Sequence, residues 1–412
     1  MDNLTHILAG LLGAELVVQV RARRGAVRSE WARLAYFASA AGNNLPDLDF
    51  LYARLGGPKL GYLMHHRGHT HTLALGIPLG GALFAALLVW ARRRGYLARP
   101  GDAPWLALLA VAGPLLHVFM DFSNSYGVHP FWPVDNRWFY GDRVFIVEPL
   151  FWAVGLPALW FAVKSRTGRV LLALWLGLTL TLPFVTRMVP VPQAIGIVLL
   201  VALFLALMRR MSEGGRIALG FTGSLALVGA FGLLKPVAES RARAALEAAF
   251  PRERIHDVVL TSNPADPSCW LFAAAQTDGA GQYAVRRGRV SLAPGLVPAE
   301  RCARSGGQTT APLRPIERPS TPSVYFERQF VAPLAELERL YRQSCRARVF
   351  LRFARLPFWT ELPGTGLVLG DLRFDREPDL GFAELVVDRA NDSCPPAIPP
   401  WTPPRAELLP AP

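Results

Sequence analysis

The feature that most constrains this chain is a series of apolar runs, each 16 or more residues long, between about residues 73 and 235. A helix needs about 20 mostly apolar residues to cross a bilayer, with a range of about 17–25. The runs Leu73–Trp90, Ala103–Met120, Glu148–Val163, Val170–Val185, Gln193–Met208 and Ile217–Leu234 are read as spans. Two weaker segments, Leu4–Val20 and Trp31–Gly42, are read as a hairpin that enters the bilayer without fully crossing it. No basic stretch precedes the first of them, so it is not read as a cleavable signal peptide. Composition agrees: 51% of the 412 residues are hydrophobic and 18% charged, against about 25% charged in an average soluble domain. Extensive disorder and a conventional soluble enzyme are both excluded.

The net charge of +13 invites a nucleic-acid reading, but the arginines sit in short loops between apolar runs. Arg21, Arg23, Arg24 and Arg28 follow the first segment, and Arg92, Arg93, Arg94 and Arg99 follow the Leu73 run. Lys164, Arg166 and Arg169, then Arg209, Arg210 and Arg216, complete 14 basic residues in four loops. The alternate loops hold only Arg54, Lys59, Arg67, Arg137, Arg143 and Arg187. The arginine-rich side is expected to face the cytoplasm, which places the other loops and everything after Leu234 outside it. No nucleic-acid partner is expected; the bilayer is.

Seven of the eight histidines fall within the first 129 residues, and all map to the non-cytoplasmic ends of segments or the loops there. His6 opens the first segment, Asp47 and Asp49 follow the second, His65, His66, His69 and His71 precede the third, and His117 and Asp121 end the fourth. His117 and Asp121, four residues apart, share a helix face. Pro46 disfavours helix at Leu45, so the chain is expected to turn there and present Asp47 and Asp49. Each group alone has a bland explanation as a packing histidine, a helix cap or a solvated loop. Four segments delivering such groups to one side point to a metal site, since imidazole and carboxylate suit zinc, iron or manganese and ionisable groups at membrane depth are functional by default. A second tier, Asp142, Glu148, His69 and His129, lies near an aromatic-rich stretch, Trp132–Asp142, that also reads as an interfacial belt.

The motifs Asp2-Asn3-Leu4-Thr5-His6, Leu45-Pro46-Asp47-Leu48-Asp49, His66-Arg67-Gly68-His69-Thr70-His71 and His117-x-x-x-Asp121 resemble those of the YdjM-like family of inner-membrane, metal-dependent hydrolases over roughly residues 1–165. The resemblance implies a multi-pass protein of a prokaryotic plasma membrane, with His6, Asp47, Asp49, His66, His71, His117 and Asp121 as functional positions. The order of ligand types is also similar to that of zinc-dependent phospholipase C, although the chain lacks that group's second clear histidine pair. One to three divalent ions, zinc first among them, would be held by His6, Asp47, His66, His71, His117 and Asp121. Asp49 is assigned as general base and Arg67 as the phosphate grip. The expected activity is hydrolysis of a phosphoester or ester of a membrane lipid or lipid-linked substrate. The rival readings are a metal-ion or small-solute transporter and a non-catalytic membrane anchor.

Residues 1–165 are thus read as the metal-site helical domain, 166–235 as additional transmembrane helices and 236–394 as a small α+β domain outside the cytoplasm. The fold class is mainly α. In the last domain, period-two patterning predicts strands at Ile255–Leu260, Cys269–Ala274, Tyr283–Ser291, Arg346–Phe353, Gly366–Phe374 and Ala383–Val387, and Leu334–Gln343 reads as a helix. All four cysteines, Cys269, Cys302, Cys345 and Cys394, lie here, as suits disulfides with three possible pairings. The end, Pro395–Pro412, with eight prolines in 18 residues, is read as a mobile tail.

Overall fold

The computed structural model describes residues 1–55, 57–186, 188–303, 309–378, 380–387 and 392–410, so Arg187 and the last two residues lie outside it. Nine α-helices come first among the described residues: α1 (Asn3–Ala22), α2 (Ser29–Gly42), α3 (Pro58–His65), α4 (Leu73–Arg93), α5 (Asp102–Phe122), α6 (Pro149–Ala162), α7 (Arg166–Thr186), α8 (Val191–Arg209) and α9 (Glu213–Ala249). Six of these, α1, α4, α5, α7, α8 and α9, are long and apolar enough to cross a membrane. The first segment, read as weak, is therefore full length. The Glu148–Val163 run instead forms the 14-residue α6, about 21 Å long. Ten of its residues are buried, so it faces other helices rather than lipid. A helix sheathed on all sides can be short, because its neighbours meet the hydrocarbon.

The basic loops gather at one end. The Arg99 guanidinium donates to the carbonyls of Arg24, Gly25 and Ala26, Arg28 donates to the Gly95 carbonyl, and Lys164 pairs with Glu213 at 3.1 Å. The opposite end carries the sheets. Helix α9 has 37 residues and runs through the boundary read at 235/236 without a linker. Beyond Leu234 its Ala238, Ala242 and Leu246 stay buried, and they share a core with Val258, Leu260, Trp270 and Phe272 of the first sheet. Small residues at helical spacing let the helix lie close on the sheet.

That sheet is antiparallel, in the order β1 (Glu253–Asn263), β2 (Asp266–Asp278), β3 (Gln282–Ser291), β5 (Val324–Pro333), β4 (Arg314–Pro315). A three-stranded antiparallel sheet follows, of β6 (Pro357–Leu362), β7 (Gly366–Asp371) and β8 (Glu384–Val387), with α10 (Leu334–Gln343) and α11 (Cys345–Phe350) between the two sheets in the chain. The helix at Leu334–Gln343 is as predicted, but Arg346–Phe353 is not a strand. Ser344 caps α11 by accepting from Ala347, and Asp392 accepts from the amides of Cys345 and Arg346. Capping from a distant residue overrides the alternating pattern. The disulfides join Cys269 to Cys302 and Cys345 to Cys394.

The Pro-rich end is not a free tail over its described length. Trp401 is buried, donates its indole N–H to the Met64 carbonyl at 2.8 Å and stacks on His129. Further ties run between the two parts: Trp138 donates to the Arg352 carbonyl at 2.7 Å, and Arg373 to the Ser125 carbonyl at 2.8 Å. Leu60, Leu63, Met64, Tyr126 and Trp138 share one core with Phe350, Phe353 and Trp359. The sheet-bearing part is thus fastened over the end of the bundle opposite the basic loops.

Candidate metal centre

The site begins with two helix ends. Helix α5 carries His117 and Asp121 one turn apart, both buried. Helix α2 crosses it closely enough that a Cβ on Gly113 would lie 2.6 Å from the Gly42 carbonyl carbon. That contact brings the Asn43 carbonyl to His117 Nδ1 at 2.6 Å. A carbonyl only accepts, so Nδ1 carries the proton and Nε2 presents a lone pair. Gly113→Ala is expected to push α2 off α5 and lower metal affinity about 10-fold or more, as loss of an orienting contact does; a metal titration in detergent reads this.

Pro46 opens a 3-10 turn, Pro46–Leu51, that presents Asp47 and Asp49. Leu45 keeps helical backbone angles despite the proline, so the bend is a tightened continuation rather than a break. His71 ends the short turn before α4, where the Thr72 side chain caps the helix by accepting from Leu75. Its Nδ1 lies 3.3 Å from Asp49 Oδ2, and its Nε2 points the other way. Arg67 adopts a left-handed backbone (φ 58°), which costs about 1–3 kcal/mol for a residue with a Cβ. The turn is held by the Arg67 amide donating to Asp49 Oδ2 at 2.9 Å.

Four donor atoms converge. His71 Nε2 lies 3.0 Å from His117 Nε2, 3.4 Å from Asp47 Oδ1 and 3.2 Å from Asp121 Oδ2. His117 Nε2 lies 3.5 Å from Asp47 Oδ1 and 3.4 Å from Asp121 Oδ2. Five of the six distances among these atoms thus lie between 3.0 and 3.5 Å, and the sixth within 4.8 Å; donors about 3.3 Å apart around one centre sit about 2.0 Å from it, the Zn–N and Zn–O bond length. Two imidazole lone pairs and two carboxylates at this range repel one another unless a positive charge stands among them. The surroundings favour one: burial lowers the His71 pKa, yet hydrogen bonds with Asp121, Asp47 and Asp49 outweigh it and push it up to about 10. Burial likewise opposes ionisation of Asp47, but His117 and His71 hold it well below the usual carboxylate range. The donor set therefore fits a divalent ion.

The remaining expected residues divide. His6 Nε2 meets the other oxygen of Asp121 at 3.2 Å, and its ring stacks on His117 at 3.7 Å. It touches the cluster through Asp121 and the His117 ring rather than as one of the four. Arg67 Nε lies 3.0 Å from Asp121 Oδ2, and Nη1 donates to Asn124 Oδ1 at 2.8 Å, so the guanidinium is already engaged. Asp49 does not stand free as a base. It accepts from His66 Nδ1 at 3.0 Å, the Arg67 amide and His71 Nδ1; burial raises its pKa, but His66 and His71 hold it at about 2. Asp47, Asp49 and His66 also form a second group of donors within 4.8 Å of one another. His66 is 18% exposed, and its ring reaches a cavity of about 330 Å³.

The second tier lies elsewhere. Asp142 pairs with Arg355 at 2.9 Å, and Glu148 accepts from the amides of Leu150 and Ala265, so both join the bundle to the sheets. Burial pushes the Glu148 pKa up to about 8. His69 packs against Trp132 and Trp401, and His129 donates from Nδ1 to the Arg67 carbonyl at 3.3 Å. Sequence reasoning missed Asn3, which donates to Asp47 Oδ2 at 2.6 Å, and the Asn43 carbonyl. Asn3 stood inside a recognised motif; a backbone carbonyl leaves no trace in the residue types.

Helices and site together define a multi-pass membrane protein with a buried His/Asp cluster able to hold a metal ion. Residues 1–190 match the family described as YdjM inner membrane protein, in agreement with the motifs. The chain is also similar to the uncharacterized protein YfhP of Bacillus subtilis (strain 168), 27% identical over 181 residues, which are 43% of this chain. The chain spans about half of that relative's length, 51%. No solved structure matches it.

Proposed function

We propose that the protein is a membrane metal-dependent hydrolase of phosphoesters, acting at the non-cytoplasmic face of a prokaryotic plasma membrane. The observation that carries the reading is the convergence of donor atoms from His71, His117, Asp47 and Asp121 within 4.8 Å of one another beside a water-reachable histidine. When bound there, a divalent ion such as zinc would lower the pKa of a coordinated water to about 7 and neutralise developing negative charge. Asp47, whose side chain is 17% exposed while the other three donors are at most 1% exposed, forms the open edge of the cluster. Asp49 and the Asn43 carbonyl orient His71 and His117, the outer-shell arrangement that fixes metal-binding histidines.

His66 is the proton carrier in this reading. Asp49 fixes its Nδ1 at 3.0 Å, leaving Nε2 for the cavity side, as the acid of a catalytic triad orients its histidine. Arg67 holds Asp121 and lines the same cavity, so its positive charge favours an anionic group there. A transporter is favoured less, because the cluster lies at one end of the bundle beneath the sheets, whereas transporter sites lie near the midplane on broken helices. The test is phosphodiesterase activity of the zinc-loaded protein in detergent, beside His66→Ala. The variant is expected to keep its metal and lose about 100-fold or more in kcat, the usual worth of general acid–base catalysis. No hydrolysis of any phosphoester or ester by metal-replete wild type would end the reading.

A further inference from the structure

Two cavities lie side by side near the cluster, with Val144 in the wall of each. The first, about 140 Å³, is lined almost wholly by apolar side chains of α1, α5, α6 and α9, among them Leu8, Phe151 and Val228. Leu116, Phe119 and Leu225 on its walls are also exposed to the outside of the bundle, so the slot opens sideways where lipid chains lie. Its polar lining is Thr5, Ser123, Arg143 and Ser224. The second is the 330 Å³ cavity that holds His66 and Arg67, roofed by Phe374, Arg376 and Phe382 of the sheet-bearing part. Val144 lines both, and their linings continue along 123–126 and 143–146.

The polar chamber carries more positive charge than its neighbours neutralise. Arg376 lies over the Phe145 ring at 5.3 Å and has no carboxylate partner among the described residues. Burial, and then nearby Arg287, lower its pKa, as befits a guanidinium short of an anion. Arg143 on the slot side likewise has no carboxylate partner among the described residues and packs over Phe122 at 5.5 Å. An apolar slot open to lipid, next to a chamber with spare guanidinium groups beside a metal-binding cluster, has the polarity of one amphiphilic anion.

We infer that the substrate is a lipid phosphate or phosphodiester whose hydrocarbon chain lies in the slot between α1, α5 and α9 and whose anionic group is gripped in the chamber by Arg376. The sheet-bearing part thereby supplies a substrate-binding residue to the membrane site. The inference deepens the proposed hydrolase and relies on it for where the reacting group sits.

The test is binding of dodecylphosphonate, which cannot be hydrolysed at phosphorus, to the full-length protein in nanodiscs, beside methylphosphonate as the chainless probe. Arg376→Gln is expected to weaken dodecylphosphonate about 10- to 100-fold, the loss of one charge-assisted contact in a partly buried site, and Arg376→Lys to recover part of it. Leu225→Trp, on the exposed wall, is expected to weaken dodecylphosphonate at least about 10-fold and leave methylphosphonate unchanged. Unaltered melting of the variants separates binding loss from misfolding. Equal binding by wild type and Arg376→Gln, or by wild type and Leu225→Trp, overturns the inference even if the protein hydrolyses phosphoesters. Chain- and Arg376-dependent binding by a protein that hydrolyses nothing supports the lipid-phosphate site and removes the hydrolase reading, and with it the role of substrate.

Discussion

His117→Ala is expected to lower divalent-metal affinity by more than about 100-fold. Loss of a contact that merely orients a ligand costs about 10- to 100-fold, and this change removes a donor together with its tie to the Asn43 carbonyl. The remaining His71, Asp47 and Asp121 would bring two carboxylates and one imidazole, a set whose fourth position is open. Metal content after dialysis against a weak chelator, read by elemental analysis, checks this. Melting gives a second measure, because a ligand at 100 times its Kd stabilises a fold by about 2.7 kcal/mol. Zinc should raise the melting temperature of wild type and leave that of the variant where it was. Stoichiometric zinc in dialysed His117→Ala would remove His117 from the donor set. His6→Ala is the instructive companion: it touches Asp121 and the His117 ring without being one of the four donors, so a partial loss is expected.

The second large effect concerns the join between bundle and sheets. Arg355 is buried, with Asp142 at 2.9 Å from the loop before α6 and Asp257 at 2.6 Å from β1. Arg355→Ala leaves Asp142 buried without its cation and Asp257 with Arg405 alone at 3.4 Å, and breaking a buried pair in this way costs about 3–5 kcal/mol. Thermal or denaturant unfolding in detergent measures it, and Asp142→Asn with Asp257→Asn should restore part of the loss. Burial raises the Asp257 pKa, but Arg355 outweighs it and holds the carboxyl at about 2. An unfolded aspartate titrates near about 3.9, so this contribution is present in full above that pH and fades as the pH falls towards 2. The variant should lose this acid sensitivity along with the stability. A change below about 0.5 kcal/mol would mean that water reaches both carboxylates.

The contrast between these two sites marks how far residue types lead. His117 and Asp121 were legible because four residues on a helix is a fixed geometry, and Asp47 and His71 because metal-ligand chemistry admits few other side chains. Asp142 and Glu148 carried the same chemical signal and lie at the join instead. A buried carboxylate near a histidine-rich stretch looks alike whether its partner is an ion or an arginine more than 200 positions away. The Pro-rich end read as mobile because composition reports backbone stiffness, while the docking of Trp401 onto Met64 and His129 depends on surfaces that exist only after folding.

The amino-acid order alone determined most of the apolar spans, the gathering of basic loops at one end, the existence of a sheet-bearing part and the kinds of atom that a metal would meet. These follow from local chemistry, from hydrophobic length, charge and helical period, which act over a few residues at a time. Tertiary structure decided which four donors face one another, that Asp49 orients His66 and His71, and that the sheets roof the chamber beside the cluster. Each of those depends on distances between segments far apart in the chain, and such distances are set by the packing of the whole.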